Sequence, residues 1–305
     1  MQMQKDPRNV NYYLIVYLIL YLCLSFTGQN LFSEKLLSNI VQFLPVVLGI
    51  LYLMITRQPL LSSVQIRRFH PLTVPCVILF TLCLWPLLSL INLFSMLFSE
   101  NLIQHTVTGT VSSNGPVYAL AVLALIPAIV EEFTFRGIIY GQYRCNRPIK
   151  AIFLSALCFG LMHMNFNQFC YAFIIGIFFA LIVEASGSLI PSMLMHFTFN
   201  AISVLLVYAQ QAISGSIAET ESTRITLSDF FEILQVYLPL TAAGCLLAFF
   251  LFYMIAKLNH RDREITSWHN LHAYQMRPNK KLTNLWFYCF VIICLIICML
   301  MELLL

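Results

Sequence analysis

Polar and charged residues cut this chain into nine apolar runs, at 12–26, 36–55, 74–98, 117–140, 149–164, 169–185, 189–208, 236–255 and 285–301. A helix that crosses a bilayer needs about 20 apolar residues, within a range of about 17–25. The third and fourth runs meet that length, whereas the fifth and sixth are short and closely linked. The pattern predicts an all-α fold, a polytopic transmembrane helix bundle of about eight to nine spans. The first run lacks a convincing small-x-small cleavage site, so it is read as a retained helix rather than a signal peptide. No internal repeat is visible, which argues against a transporter built from inverted repeats.

Composition narrows the class. Hydrophobic residues make up 60% of the 305 and charged residues 10%, against about 45–50% and about 25% in soluble domains. Folded in water, such a chain would expose large apolar patches. A soluble domain, a disulfide scaffold, a disordered tail and a nucleic-acid-binding module are all excluded. The ten cysteines form no C-x-x-C pair, and all but Cys145 lie in or beside apolar runs. They read as small apolar residues.

Lys and Arg placement sets the expected orientation. Lys5 and Arg8 precede the first run, and Arg57, Arg67 and Arg68 follow the second. Arg144, Arg147 and Lys150 follow the fourth; Lys257, Arg261, Arg263, Arg277, Lys280 and Lys281 follow the eighth. The alternate connections are poor in basic residues: 101–115 has none, and the loop after the seventh run has only Arg224. The alternation predicts a cytoplasmic N-terminus. The polar stretch 260–284, with His260, Trp268, His269 and His272, reads as a basic connecting loop. Three regions follow: N-terminal helices over 1–115, a core over 116–210 and C-terminal helices over 211–305.

Ionisable groups in membrane helices are costly, rare and commonly functional. The fourth run carries Glu131, Glu132 and Arg136; the fifth has Phe159 and His163; the seventh has His196 and Asn200; Glu184 ends the sixth. Glu132 and Arg136 are at i and i+4 and can pair on one face. Glu131 lies about 100° round the helix, without a local partner. Each polar face must turn into the bundle, because lipid cannot satisfy it, so the pattern predicts an inward-facing polar cavity. Pro127 frees the carbonyl of Leu123 and predicts a kink above the carboxylates. By helical rise, Glu131 lies about 12 Å and His163 about 20 Å from their inner helix ends, so their depths agree only in part.

One carboxylate, two imidazoles and one carboxamide suit water activation. Glu131 would act as base, with His163 holding the water. His196 and the Asn200 amide would donate to the oxyanion of a tetrahedral intermediate. The same types allow a zinc site on Glu131, His163 and His196 with an open fourth position; the H-E-x-x-H motif is absent. No cofactor is assigned beyond such a divalent metal. There is no G-x-S-x-G, and Ser192 is marked only by its place four residues before His196.

Glu131-Glu132-x-x-x-Arg136, Phe159-x-x-x-His163 and His196-x-x-x-Asn200 resemble the three signature motifs of the CPBP family. These are the type II CAAX prenyl proteases and the bacteriocin-processing or immunity-related membrane proteins. The resemblance covers about 117–208. It implies an α-helical intramembrane endopeptidase in which Glu131 and His163 activate water and His196 and Asn200 form the oxyanion site. Glu132, Arg136 and Phe159 would support that site. The family has been described both as metal-dependent and as glutamate-dependent.

The expected partners are membrane lipid and a peptide or membrane-protein substrate, with no nucleic acid. The expected location is a bacterial plasma membrane. Two other function classes stay open on the residues alone. One is a non-catalytic scaffold or immunity protein, and the other is a proton-coupled transporter.

Overall fold

The computed structural model describes residues 6–144, 148–214, 225–267 and 281–304. Among them there is no strand. The chain folds as α1 (Val10–Thr27), α2 (Glu34–Ile55), α3 (Thr73–Ser95) and α4 (Leu102–Ala119). A composite helix, α5, continues directly from α4 over 120–143. Then come α6 (Pro148–Leu161), α7 (Phe166–Ser186), α8 (Ile190–Ser214), α9 (Leu227–Leu258) and α10 (Leu285–Leu304). Among the described residues, eight helical stretches, with α4 and α5 counted as one, are long and apolar enough to cross a membrane. The protein is an integral membrane helix bundle.

Two expectations change. The stretch 101–115, read as a loop, is helical over most of its length as the first part of α4. Val107 and Val111, one turn apart, pack with Val204 and Val207 of α8 in a small cluster of their own. The break falls at Gly115, whose φ of 80° lies in the left-handed region, followed by Pro116. The fifth run is the other. It becomes the 14-residue α6, about 21 Å long, short of a full crossing. Part of the stretch 260–284, including Trp268, His269 and His272, lies outside the described residues.

Lipid offers apolar helices nothing that a neighbouring apolar helix does not also offer, so close backbone approach and polar bonds must hold such a bundle together. α3 and α9 meet at Gly244, where a Cβ would lie 2.3 Å from the backbone oxygen of Cys83. At the end of the bundle where α1 starts, Asn11 Nδ2 donates to Leu282 O and Asn284 Oδ1, both at 3.0 Å. Tyr143 donates to Asn11 Oδ1. That one asparagine ties α1, the end of α5 and the approach to α10.

A second knot forms at the same end around Glu184, whose side chain is buried. It accepts Tyr140 OH at 2.6 Å, Arg144 Nε at 2.6 Å and Arg261 Nη2 at 3.3 Å. Arg261 Nε also reaches the Glu184 carbonyl at 3.1 Å. Burial by itself would lower the Arg144 pKa, but the Glu184 carboxylate outweighs it and raises it, keeping the guanidinium charged. Two of the basic residues that marked orientation in the sequence therefore also clamp the loops after α5 and α9 to the end of α7.

Gly244→Ala should lower the thermal denaturation midpoint of the purified protein in detergent. The blocking atom is backbone and cannot rotate away, so a cost of about 1–3 kcal/mol is expected. A midpoint equal to wild type would show that α3 and α9 do not depend on that approach.

Candidate active site

The helix that carries the first motif is irregular at two places. Residues Leu120–Leu125 and Phe133–Tyr140 are π-helical, with an α-helical segment Ile126–Glu132 between them. π-turns are rare and often mark functional sites. Pro127 has no N–H to give, so the carbonyl of Leu123 has no donor at i+4. Asn200 Nδ2 from α8 donates to that carbonyl at 3.1 Å. The third motif's asparagine thus gives the Leu123 carbonyl a donor from a second helix.

Glu132 is fully buried and makes three side-chain contacts. Its Oε1 accepts Arg136 Nη1 at 2.8 Å and faces His196 Nδ1 at 3.1 Å. Its Oε2 accepts the Ser192 hydroxyl at 2.6 Å. Arg136 Nη2 continues to the Gly176 carbonyl at 3.1 Å. A Cβ at position 176 would lie 2.9 Å from that Nη2, so glycine lets the α7 backbone come close enough to accept. The guanidinium lies between the Phe159 and Phe179 rings, 4.2 and 4.9 Å from their centroids. Both ring faces attract the cation.

The imidazole tautomers follow from their partners. A carboxylate only accepts, so His196 Nδ1 carries the proton towards Glu132. Its Nε2 then stands 3.7 Å from Glu131 Oε2. The ring stacks on Phe179, with centroids 4.7 Å apart and planes at 16°. His163 departs from the helical expectation. α6 ends at Leu161 and His163 lies in the turn beyond it. The ring folds back so that Nδ1 is 2.8 Å from the Phe159 carbonyl. A carbonyl only accepts, so Nδ1–H donates and Nε2 is left with its lone pair. The next residue, Met164, has φ of 51°, a left-handed value that is unusual away from glycine.

Glu131, His163, His196 and Asn200 all line one cavity of about 340 Å³. Glu131 is the acid that opens onto it: its side chain is 33% exposed, against 0% for Glu132. The unequal depths expected for Glu131 and His163 come closer because α5 continues to Tyr143, which puts Glu131 about 18 Å from its end. The cavity runs from these four side chains past Trp85 and Asn92 to Asn101 and Gln104 at the start of α4.

The seven residues of the three motifs lie together here, whereas Glu184, the other ionisable residue singled out, lies in the arginine knot with Tyr140, Arg144 and Arg261. Ser192, Phe179 and Gly176 join the seven. The Ser192–His196 spacing was visible in the sequence but assigned the serine no role; its hydroxyl donates to the Glu132 carboxylate. Phe179 and Gly176 carry no local signal, because an aromatic and a glycine in an apolar helix are unremarkable before α7 is docked.

Glu131, His163 and His196 are suitable donors for zinc, and both imidazoles are anchored through Nδ1 as metal-bound histidines usually are. Their geometry does not gather them: among the described residues no three His, Cys, Asp or Glu side chains converge into a ligand set. The residues as arranged do not fit a three-ligand metal centre.

Residues 113–202 match the family model described as type II CAAX prenyl endopeptidase Rce1-like. The matched segment contains all three motifs and supports their assignment to the CPBP family of intramembrane proteases. It covers less than a third of the chain. No curated protein and no solved structure matches the chain.

Three substitutions separate framework from cavity. Arg136→Met leaves Glu132 buried without its main counter-charge and should cost about 3–5 kcal/mol. Asn200→Leu orphans the Leu123 carbonyl and should cost about 1–3 kcal/mol. Glu131→Gln, open to the cavity, should move the denaturation midpoint far less than Arg136→Met. Thermal denaturation of the three purified variants checks the order, and equal losses would contradict it.

Proposed function

We propose that this protein is an intramembrane endopeptidase that hydrolyses a peptide bond of a membrane-associated or precursor-peptide substrate. The supporting observation is the convergence of Glu131, His163, His196 and Asn200 on one cavity while Glu132 and Arg136 stay sealed behind it.

In this mechanism a water lies between the Glu131 carboxylate and the His163 Nε2 lone pair. Glu131 takes a proton as the water oxygen bonds to the scissile carbonyl carbon. The carbonyl oxygen becomes an oxyanion. One amide hydrogen of Asn200 is used on Leu123, and the other is free to donate to that oxyanion. His196 can donate there from Nε2 only as the imidazolium, since its Nδ1 proton is committed to Glu132. Glu132 lies against that ring and would stabilise its positive charge as the oxyanion forms. When the intermediate collapses, the C–N bond breaks and Glu131 returns its proton to the leaving amine. No step passes through a metal.

The proposed setting is a bacterial plasma membrane with the N-terminus in the cytoplasm. The cavity extends towards the start of α4, away from the basic end of the bundle. In that orientation it would receive substrate from the outer half of the membrane. Bacteriocin maturation or self-immunity is the proposed role.

A second reading, a non-catalytic scaffold, draws on the Glu132 network, whose bonds would fix helix packing with or without chemistry. Both are tested by comparing protein termini, by mass spectrometry, between membranes holding wild type and Glu131→Gln at matched levels. Proteolysis predicts termini that vanish in the variant, with turnover of any substrate so found reduced at least about 10²-fold. An unchanged set of termini, with both proteins folded, would favour the scaffold.

A further inference from the structure

In the proposed hydrolysis the oxyanion has one neutral donor, the second amide hydrogen of Asn200. His196 Nε2 has no proton to offer until the ring becomes an imidazolium, because the resting proton sits on Nδ1 facing Glu132. A preorganised oxyanion site aims ready donors at the place where charge develops. The cavity holds an ionisable side chain that the mechanism leaves unused, the phenol of Tyr171.

α7 turns one face to the cavity through Gln168, Tyr171, Ala172, Ile175 and Phe179. Steps of three and four residues keep such positions on one stripe. Phe179 stacks on His196. About two turns earlier in α7, the Tyr171 ring packs against Phe199, with centroids 6.3 Å apart. Phe199 immediately precedes Asn200, so the tyrosine stands beside the turn of α8 that carries the third motif's amide. The Glu131 carboxylate is near enough for its charge to act on the phenol.

The ring is anchored and its hydroxyl is not. Among the described residues that oxygen makes no hydrogen bond to the protein, yet it is not one of the unpartnered polar atoms closed off from solvent. It therefore opens onto the cavity that the ring lines. Tyrosine hydroxyls inside proteins usually find a partner, and here the open side is the space that substrate fills. Ser89 and Ser203 also line that space. A serine hydroxyl can turn back to a carbonyl of its own helix, whereas a phenol stands too far from its own backbone to do so.

We infer that Tyr171 is a further catalytic residue, whose hydroxyl donates a hydrogen bond to the scissile carbonyl oxygen beside the Asn200 amide. Tyr171 keeps its proton throughout. Its hydrogen bond strengthens as the carbonyl oxygen gains charge, while Glu131 carries out both proton transfers. This rests on the endopeptidase reading and deepens it with a donor that no motif spacing marks.

The test uses the full-length protein in proteoliposomes. A proteome-derived peptide library is digested by wild type and by Glu131→Gln, and the Glu131-dependent cuts are mapped by mass spectrometry. A synthetic peptide spanning the strongest such cut then gives kcat and KM for wild type, for Tyr171→Phe and for protein with 3-fluorotyrosine at position 171. Tyr171→Phe keeps the ring against Phe199 and removes only the hydroxyl. Its kcat should fall at least about tenfold with KM within about threefold of wild type. Its denaturation midpoint should not move, since the hydroxyl has no protein partner to lose. The fluorinated ring keeps a more acidic O–H and should hold kcat at the wild-type level or above, at a pH where it stays protonated. A wild-type kcat in Tyr171→Phe, a rise in KM alone, or a loss that 3-fluorotyrosine shares would each overturn the inference and leave proteolysis standing. A library in which wild type and Glu131→Gln give the same termini would overturn the endopeptidase reading, and the inference with it.

Discussion

Glu132 is a carboxylate in a part of the bundle that water does not reach, and the arrangement of the core follows from satisfying it. An isolated anion there would be prohibitively costly, so its oxygens need charged and hydrogen-bonding partners. Arg136 comes from the next turn of the same helix, and Ser192 and His196 come from α8. Arg136 in turn draws in the Gly176 carbonyl and the faces of Phe159 and Phe179. One buried charge thereby fixes the relative positions of α5, α6, α7 and α8. Apolar contacts alone would leave them free to slide, since lipid competes equally for those surfaces.

The same constraint shapes the chemistry. Because Glu132 engages Nδ1 of His196, the other ring nitrogen is turned towards Glu131. Because the Phe159 carbonyl engages Nδ1 of His163, that ring likewise offers Nε2. Pro127 and Asn200 show a similar economy: the proline offers the Leu123 carbonyl no i+4 donor, and the asparagine supplies one from α8. Polar groups at this depth have two duties, one towards the framework and one towards the cavity. Removing His196 or Asn200 would disturb the packing behind the cavity as well as its lining, whereas Glu131 opens onto the cavity and is not part of the buried Glu132–Arg136 network.

A division of labour runs along the bundle. The end rich in arginine is locked by Glu184 and Asn11, each joining segments distant in sequence. The opposite end is lined by neutral carboxamides and by an aromatic wall in which Phe199 lies 5.3 Å from Trp85 and 6.3 Å from Tyr171. The helix bordering that end, α4, packs through its own small valine cluster and is set off by the Gly115–Pro116 break.

Hydropathy by itself determined the class of this protein, because runs of apolar residues long enough to cross a bilayer have few other stable outcomes. Spacing determined much of the site, since residues four apart share a helix face: Glu132 with Arg136, and His196 with Asn200, were paired before any packing was known. The proline also announced its freed carbonyl. Local pattern failed where an element's end depends on its neighbours. α6 stops before His163, and 101–115 is largely helical because its valines found a partner on α8. Which of two adjacent glutamates meets the cavity, where Asn200 spends its amide, which proton each histidine keeps and why Ser192 is present were all decided by tertiary structure. Each depends on a partner from another helix, and a sequence records spacing along one helix but not which helix will lie beside it.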